Sequence, residues 1–588
     1  MRIPLLTLAA FAASAFADGH RLKYLDDDDP FYPHRNLARL STPQWVGEEG
    51  VEAVVILSID DLRETQKYEG YLRPVLERLK QIDGRAPFSI FCCQFPPDDP
   101  LFQAWLKEGV SLEVHTLAHP CPLLGKMDFA AAWQTVFGGL DLLAKIPGNT
   151  PRVFRMPCCD SMNSASPRFF AELLPDASKD GHFFAGDSSV GCLLTSADPA
   201  LPRAAVLDTD GSERFRKYFP MELKPPTKLT FERFGAFIED YPYPYVIGRG
   251  VWEFPFIVPS DWAASNAHGA KNPKTLEDWQ AALDAIVVKQ GVMTLVLHPH
   301  GWSDPAQIVA LIDYAVEKYG KRVKFLNFPE ALARLEKNVL GGETLRSTKG
   351  ARLLDLNNDG YMDAVLGSAT RVWSPLDRRW QVSPSSPASR DAHFAVLRKD
   401  GAVTMFAEGA WECEGGQWRA ARPWLAGLDA AVLGKPGVRF RDFDGDGRGE
   451  LLISNADGTT IYQWRDEKSR WEKMELAWPE GVSLVNERGE DHGLRFVDLN
   501  GDGFDDLVFS NEERSSIHLW ANQGWTRVGT SRRVPPIVRA GPHRNNGAWF
   551  RGGRMFVQNE DTAKLGNVVE MRTFQELLDS GKPALQKP

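Results

Sequence analysis

Four short segments of this chain carry acids and bases at the point where an apolar run ends. Asp60-Asp61 closes the run VEAVVILSI, His115 and His119 follow SLEV, Arg155 follows RVF, and His298 and His300 follow VMTLVL. Two histidines and one carboxylate are a common donor set for catalytic zinc, which keeps a fourth coordination position open for water. A second carboxylate can take a proton from that water, and a further histidine can return one to a leaving group. The Asp60-Asp61 pair with His115 and His119 meets the first two needs, and His298 meets the third. Residue 116 is Thr, so the His-x-x-x-His spacing is not that of a zinc protease helix. Any one of these residues alone reads as an ordinary satisfied polar group. Burying all of them together is costly unless a metal or partner compensates.

A second chemistry is written three times further on. Asp355/Asn357/Asp359/Asp363, Asp442/Asp444/Asp446/Glu450 and Asp498/Asn500/Asp502/Asp506 place oxygen donors at alternating positions, with Gly360, Gly447 and Gly503 in the turn. Such loops suit a hard cation with six to eight oxygen ligands, and calcium is the expected ion. An EF-hand would close with Glu at position 12 between two helices; these loops close at position 9 and run into β-type segments.

The elements around the first set alternate in type. VEAVVILSI is a β-branched run read as a strand buried on both faces, and YLRPVLERLKQI has helical spacing. FSIFCC, PLFQAWLKEG, SLEV and DFAAAWQTVFGGLDLLAKI continue the alternation, which returns at VMTLVL, PAQIVALIDYAVEKYG and VKFLN. This predicts a parallel α/β domain, a barrel, whose strand ends converge on one face. Beyond about residue 340 the helical pattern gives way to short runs such as AVLGS, ELLIS and DLVFS, each following an acidic loop, so an all-β domain is expected. The loops start 87 and 56 residues apart, a spacing that suggests one repeat without its loop or with an insertion.

Bulk properties narrow the partners. A net charge of -10 with no Lys/Arg block argues against nucleic acid or an anionic membrane surface. The N-terminus carries Arg2, an apolar stretch and Ala15-Phe16-Ala17, a signal-peptide pattern with cleavage expected after Ala17. A secreted or periplasmic chain without a membrane span is expected. Seven cysteines are too few for a disulfide scaffold, and the odd count leaves at least one unpaired or intermolecular. For Cys121, Cys158 and Cys159 three readings stand: a disulfide across the site's rim, a thiolate on the metal, or plain burial.

In motif order, Ser58-Ile59-Asp60-Asp61-Leu62, His115 to Pro120, Arg155-Met156-Pro157 and Leu295-Val296-Leu297-His298 resemble the polysaccharide deacetylases of carbohydrate esterase family 4, over about residues 45–340. The resemblance implies a distorted (β/α) barrel in which Asp60 is the base, Asp61, His115 and His119 bind zinc or another divalent transition metal, Arg155 orients Asp60 and His298 is the acid. The metal and the Cys158 backbone N–H would hold the oxyanion as metal-bound water attacks the acetyl carbonyl. Leu62 stands where the family has Gly, and Cys158-Cys159 where it has an aromatic-Gly pair; Asp261-Trp262 is the candidate for its Asp-Trp element near Arg155. The acidic loops resemble the FG-GAP repeats of integrin-like propellers, which implies a propeller-like C-terminal domain.

The organisation expected is therefore a signal peptide (1–17), an N-terminal arm (18–45), a catalytic domain (46–338), a linker (339–349), a calcium-binding repeat domain (350–540) and a tail (541–588). The function expected is removal of N- or O-acetyl groups from an extracellular polysaccharide. The alternatives are a catalytically silent glycan-binding or adhesion protein on this fold, and a hydrolase of another non-peptide amide.

Overall fold

The computed structural model describes residues 31–222, 228–248, 250–348, 351–387, 392–521, 523–529 and 534–578. The signal-peptide pattern lies outside them. No helix among the described residues is long and apolar enough to cross a membrane.

The first half is built on one twelve-stranded, mostly parallel sheet. Its central strand, β1 (Ala53–Leu62), is buried almost throughout. It leads through α1 (Thr65–Asp83) to β2 (Phe88–Cys92), α2 (Pro100–Glu108), β3 (Val110–Val114), α3 (Phe129–Ala144) and β4 (Val153–Phe154). Short strands follow: β5 (Gly186–Asp187), β6 (Gly191–Leu193), β7 (Phe237–Glu239), β8 (Tyr245–Ile247), β9 (Val251–Glu253) and β10 (Phe256–Ile257). Then come α4 (Asp261–His268), α5 (Pro273–Lys289), β11 (Val292–Leu297), α6 (Pro305–Tyr319), β12 (Val323–Phe325) and α7 (Phe328–Asn338). The order across the sheet is β8-β9-β5-β4-β3-β2-β1-β11-β10-β6-β7, with β12 added on β1. Among the described residues the path stays open at its two ends, a half-barrel consistent with the barrel that the strand–helix alternation predicts.

β4, β3, β2, β1 and β11 are neighbours and all parallel. Their C-terminal ends therefore lie along one edge, and the four chemistry-bearing segments start there. β-Branched and aliphatic side chains make this possible: Val54, Val55, Ile56, Leu57 and Ile59 are all at most 1% exposed. Burying one such side chain is worth roughly 1.5–3 kcal/mol, enough to anchor a strand that ends in two carboxylates.

The second half is five consecutive antiparallel sheets, four of four strands and a last one of three. The acidic loops join the first two strands of the first sheet (Arg352–Leu354 to Asp363–Val365), the third (Val438–Arg441 to Glu450–Asn455) and the fourth (Leu494–Val497 to Asp506–Ser510). The second sheet (His393–Val396, Val403–Phe406, Ala410–Glu414, Gln417–Ala420) has no acidic loop. It accounts for the longer spacing in the sequence.

The tail expected from residue 541 is corrected here. Ala548–Arg551, Arg554–Val557 and Glu570–Thr573 form the fifth sheet. They lack an acidic loop to announce them, so their strand pattern has no repeat signature. This sheet packs on the α/β domain. Trp549 and Phe556 stack 5.3 Å apart over Gly235, where an added Cβ would come within 2.5 Å of the Trp549 ring. Arg551 Nη2 donates to the Phe234 carbonyl, and Arg168 pairs with Glu560 at 2.8 Å. At the other end the first sheet joins the N-terminal arm: Gln44 donates to the Met362 carbonyl and Trp380 to the Gln44 carbonyl. The repeat region is thus fastened to the first half of the chain at both ends.

Trp549→Ala should cost about 3–5 kcal/mol, the usual range for truncating a buried large aromatic. Because the seam belongs to both halves, calorimetry should show their unfolding moving down together. An α/β domain that melts at an unchanged temperature in this variant would contradict a shared seam.

Candidate functional site

Adjacent residues on a strand point to opposite faces, yet Asp60 and Asp61 both face the site. The β1–β2 register shifts between Ile59 and Leu62, and Asp61 takes φ 72°, so a bulge re-aims the second carboxylate. Positive φ recurs at Thr116, His119 and Cys158, all on loops around the same pocket. Non-glycine residues held this way mark positions that the surrounding structure over-determines. The 116–118 turn is packed on α3, where Gly138 and Gly139 allow the approach. A Cβ at Gly138 would stand 2.9 Å from the Leu117 side chain.

Asp60 is 2% exposed and Arg155 fully buried. Arg155 Nη1 donates to Asp60 Oδ1 at 2.9 Å and to Ser58 Oγ at 2.8 Å, while Nε and Nη2 donate to the carbonyl and hydroxyl of Ser188. The guanidinium lies 4.3 Å from the Phe91 ring. A buried arginine with its forks filled in this way holds its carboxylate in one orientation. Ser58 was visible as the start of its motif; Ser188 sits in an irregular loop with no signal to find it.

Asp61, His115 and His119 come together, each offering a ligand atom within 4.8 Å of the others. Whether they fit a metal is decided by their lone pairs. His115 Nδ1 faces the Arg155 carbonyl at 2.9 Å, so it must donate there, which leaves a lone pair on Nε2. That Nε2 lies 3.5 Å from Asp61 Oδ1, another acceptor. His119 Nε2 is 2.7 Å from the same oxygen, yet Asp61 Oδ1 is buried without a hydrogen-bond partner. His115 Nε2 and Asp61 Oδ1 are thus two acceptors turned toward one another beside His119, an arrangement that a cation would satisfy, and the donor set suits a transition metal.

His298 sits across the pocket, 8% exposed. Its Nδ1 is 2.8 Å from Asp261 Oδ1, and its backbone N–H donates to Asp261 Oδ2. Burial works to lower the imidazolium pKa, but Asp261, helped by Asp160 and Asp60, raises it to about 10. The Asp-Trp element expected near Arg155 is therefore the partner of His298. Asp160, which sequence reasoning missed, is buried and accepts a hydrogen bond from Ser260 at the start of α4; burial raises its carboxyl. The Trp302 ring edges both His298 and His300, with centroids 4.9 and 5.1 Å away.

Cys121 and Cys158 form a disulfide that ties the histidine loop to the loop after Arg155. Of the three readings of these cysteines the disulfide holds. Both sulfurs are committed, so neither is a thiolate ligand, and Cys159 is simply buried. The Cys158 backbone N–H, among the described residues, donates to no group.

In the acidic loops the first aspartate accepts backbone N–H bonds that shape the turn: Asp355 from Asp359 and Gly360, Asp442 from Gly445, Asp446 and Gly447, Asp498 from Gly501, Asp502 and Gly503. The closing residues, Asp363, Glu450 and Asp506, bond back to the backbone at the loop's start. In the second loop Asp442, Asp444 and Glu450 converge within 4.8 Å, with Asp446 outside that set. In the first and third, the Asn357 and Asn500 amides donate to Asp359 and Asp502.

Residues 442–509 match the FG-GAP-like repeat family. No curated protein matches the chain. The chain is similar to a protein assigned as a polysaccharide deacetylase from Mycobacterium smegmatis, at 16% identity and TM-score 0.31, over 50% of this chain and 91% of that one. It is also similar to a peptidoglycan deacetylase from Bacillus subtilis, at 12% and 0.25, over 49% and 95%. A third likeness is to an Agrocybe aegerita lectin specific for non-reducing terminal N-acetylglucosamine, at 17% and 0.24, over 32% and 52%.

Burial raises Asp442 and Asp506 to about 6. A carboxyl whose folded pKa exceeds its unfolded value of about 3.9 stabilises the fold below that value and loses the contribution as pH rises through the folded one. With divalent ions chelated, these two groups should therefore destabilise the repeats as pH goes from about 4 to above 6. Asp442→Asn with Asp506→Asn should flatten that slope, as should saturating calcium. An unchanged slope in both experiments would show that the loops neither share protons nor hold a cation.

Proposed function

We propose that this chain is an exported, metal-dependent deacetylase that hydrolyses N- or O-acetyl groups on an extracellular polysaccharide. One observation carries the reading. A carboxylate clamped by a buried arginine lies beside a metal-type donor set, and a histidine charged by its own aspartate lies opposite. A divalent transition ion, zinc being the natural choice for Asp61, His115 and His119, would activate a water and polarise the acetyl carbonyl.

The protein's own groups then have separate tasks. Asp60 Oδ1 is engaged by Arg155 and Oδ2 is left to accept the water's proton; Oδ2 stands 4.0 Å from His115 Nε2. Arg155 keeps that oxygen pair from rotating. The Cys158 N–H, fixed by the disulfide and a positive φ, is available to the carbonyl oxygen as it gains charge. His298, held as an imidazolium by Asp261, can protonate the departing amine or alcohol. An aspartate base and a histidine acid with such different surroundings divide the proton work. The export signal and the repeat domain favour a polymer over a small amide. We take the five sheets to be propeller-like blades closed by the catalytic domain, with calcium in the acidic loops.

Asp60→Asn should keep zinc while lowering deacetylation of acetylated glycan fragments by about 10²–10⁴-fold. His115→Ala should lose the zinc itself. Turnover near that of the parent in Asp60→Asn would remove this residue from the mechanism.

Asp261→Asn offers a second check through pH. With Asp261 in place, His298 stays protonated, and kcat/KM should hold up to about pH 10. Without that carboxylate the alkaline limb should move down toward the ordinary histidine pKa of about 6.5. A limb that does not move would assign the proton donor elsewhere.

A further inference from the structure

The structure gives His300 a place of its own beside Asp61. Its Nε2 lies 3.0 Å from Asp61 Oδ2, and its Nδ1 lies 3.2 Å from Lys67 Nζ. Lys67 stands in the first turn of α1, directly after the strand that carries Asp61, and His300 follows the neighbouring strand β11.

We propose that Lys67 and His300 are a positioning pair that selects which oxygen of Asp61 faces the metal. The inference rests on the metal-dependent reading above. A lysine ammonium can only donate, so His300 Nδ1 is the acceptor. The imidazole proton must then sit on Nε2, which donates to Asp61 Oδ2. That bond occupies one carboxylate oxygen. It leaves Oδ1, the oxygen without a hydrogen-bond partner, turned toward His115 and His119. His300 is itself steadied by the Trp302 edge at 5.1 Å and by a stacked contact with His298 at 5.9 Å. Among the described residues the group of converging ligand atoms contains Asp61, His115 and His119 and not His300. Its part is thus to orient a ligand, as outer hydrogen-bond partners of metal-binding carboxylates do. The bond also ties β1 to β11, the two strands that carry the base and the acid.

The test is zinc affinity, measured by competition with a chromophoric chelator on the full chain, with melting temperatures as a control. His300→Ala should weaken zinc binding by about 10–100-fold, the usual cost of losing such a partner. His300→Gln should stay close to the parent, because its amide can donate to Asp61 Oδ2 and accept from Lys67. Lys67→Met should weaken binding less than His300→Ala, and should add nothing in the His300→Ala background. Zinc bound equally by the parent and His300→Ala overturns the pair while leaving the metal reading intact. Equal weakening in His300→Gln and His300→Ala overturns it by making His300 a ligand. A parent chain that binds no zinc sinks both readings. If His300→Ala does not fold, the Gln and Met variants still decide.

Discussion

A guanidinium with no access to water has to be met on every side, and Arg155 organises the α/β half of this protein around that need. Its neighbours are drawn from two strands and a loop: Ser58 and Asp60 on β1, Phe91 on β2, and Ser188 just after β5. Losing any one of them would leave a buried charge short of a partner, which costs far more than an ordinary hydrogen bond. The backbone carbonyl of the same residue accepts the hydrogen bond of His115 Nδ1 and so fixes the tautomer of that imidazole. Asp60 and His115 are therefore oriented by one residue.

The carboxylates follow a common rule. Each one in the pocket has a specific donor: Arg155 for Asp60, His300 for Asp61, His298 for Asp261 and Ser260 for Asp160. Together these partners give each carboxylate of the site one fixed orientation.

The pocket's rim is shared between domains. The loop with Cys121 runs into Leu124 and Gly125, which meet Gln558 and Ala563 beside the fifth sheet. The loop with Cys158 runs into Asn163, whose amide donates to the carbonyls of Arg233 and Asn567. The disulfide joins the two loops, and the last sheet backs both. The repeat region is consequently part of the scaffold around the site as well as an appendage to it.

Strand–helix alternation, the Asp60-Asp61 and His115/His119 pairs, Arg155, His298 and the three acidic loops were all legible in the sequence. Local composition and spacing carry them: a strand buried on both faces must be continuously apolar, and a polar residue at its end stands out. The fifth sheet was not legible, because its strands are short and lack the acidic loop. Nor were the roles of Ser188, Asp160, Lys67, His300 and Asp261. Each meets a partner between 33 and 239 positions away, and no local pattern encodes such a meeting. Cysteine spacing allowed several fates for Cys121 and Cys158, and only the approach of two loops chose the disulfide. Residue types determined which chemistry was available; the parallel register of β4, β3, β2, β1 and β11, together with the bulge at Asp61, decided which atoms face one another.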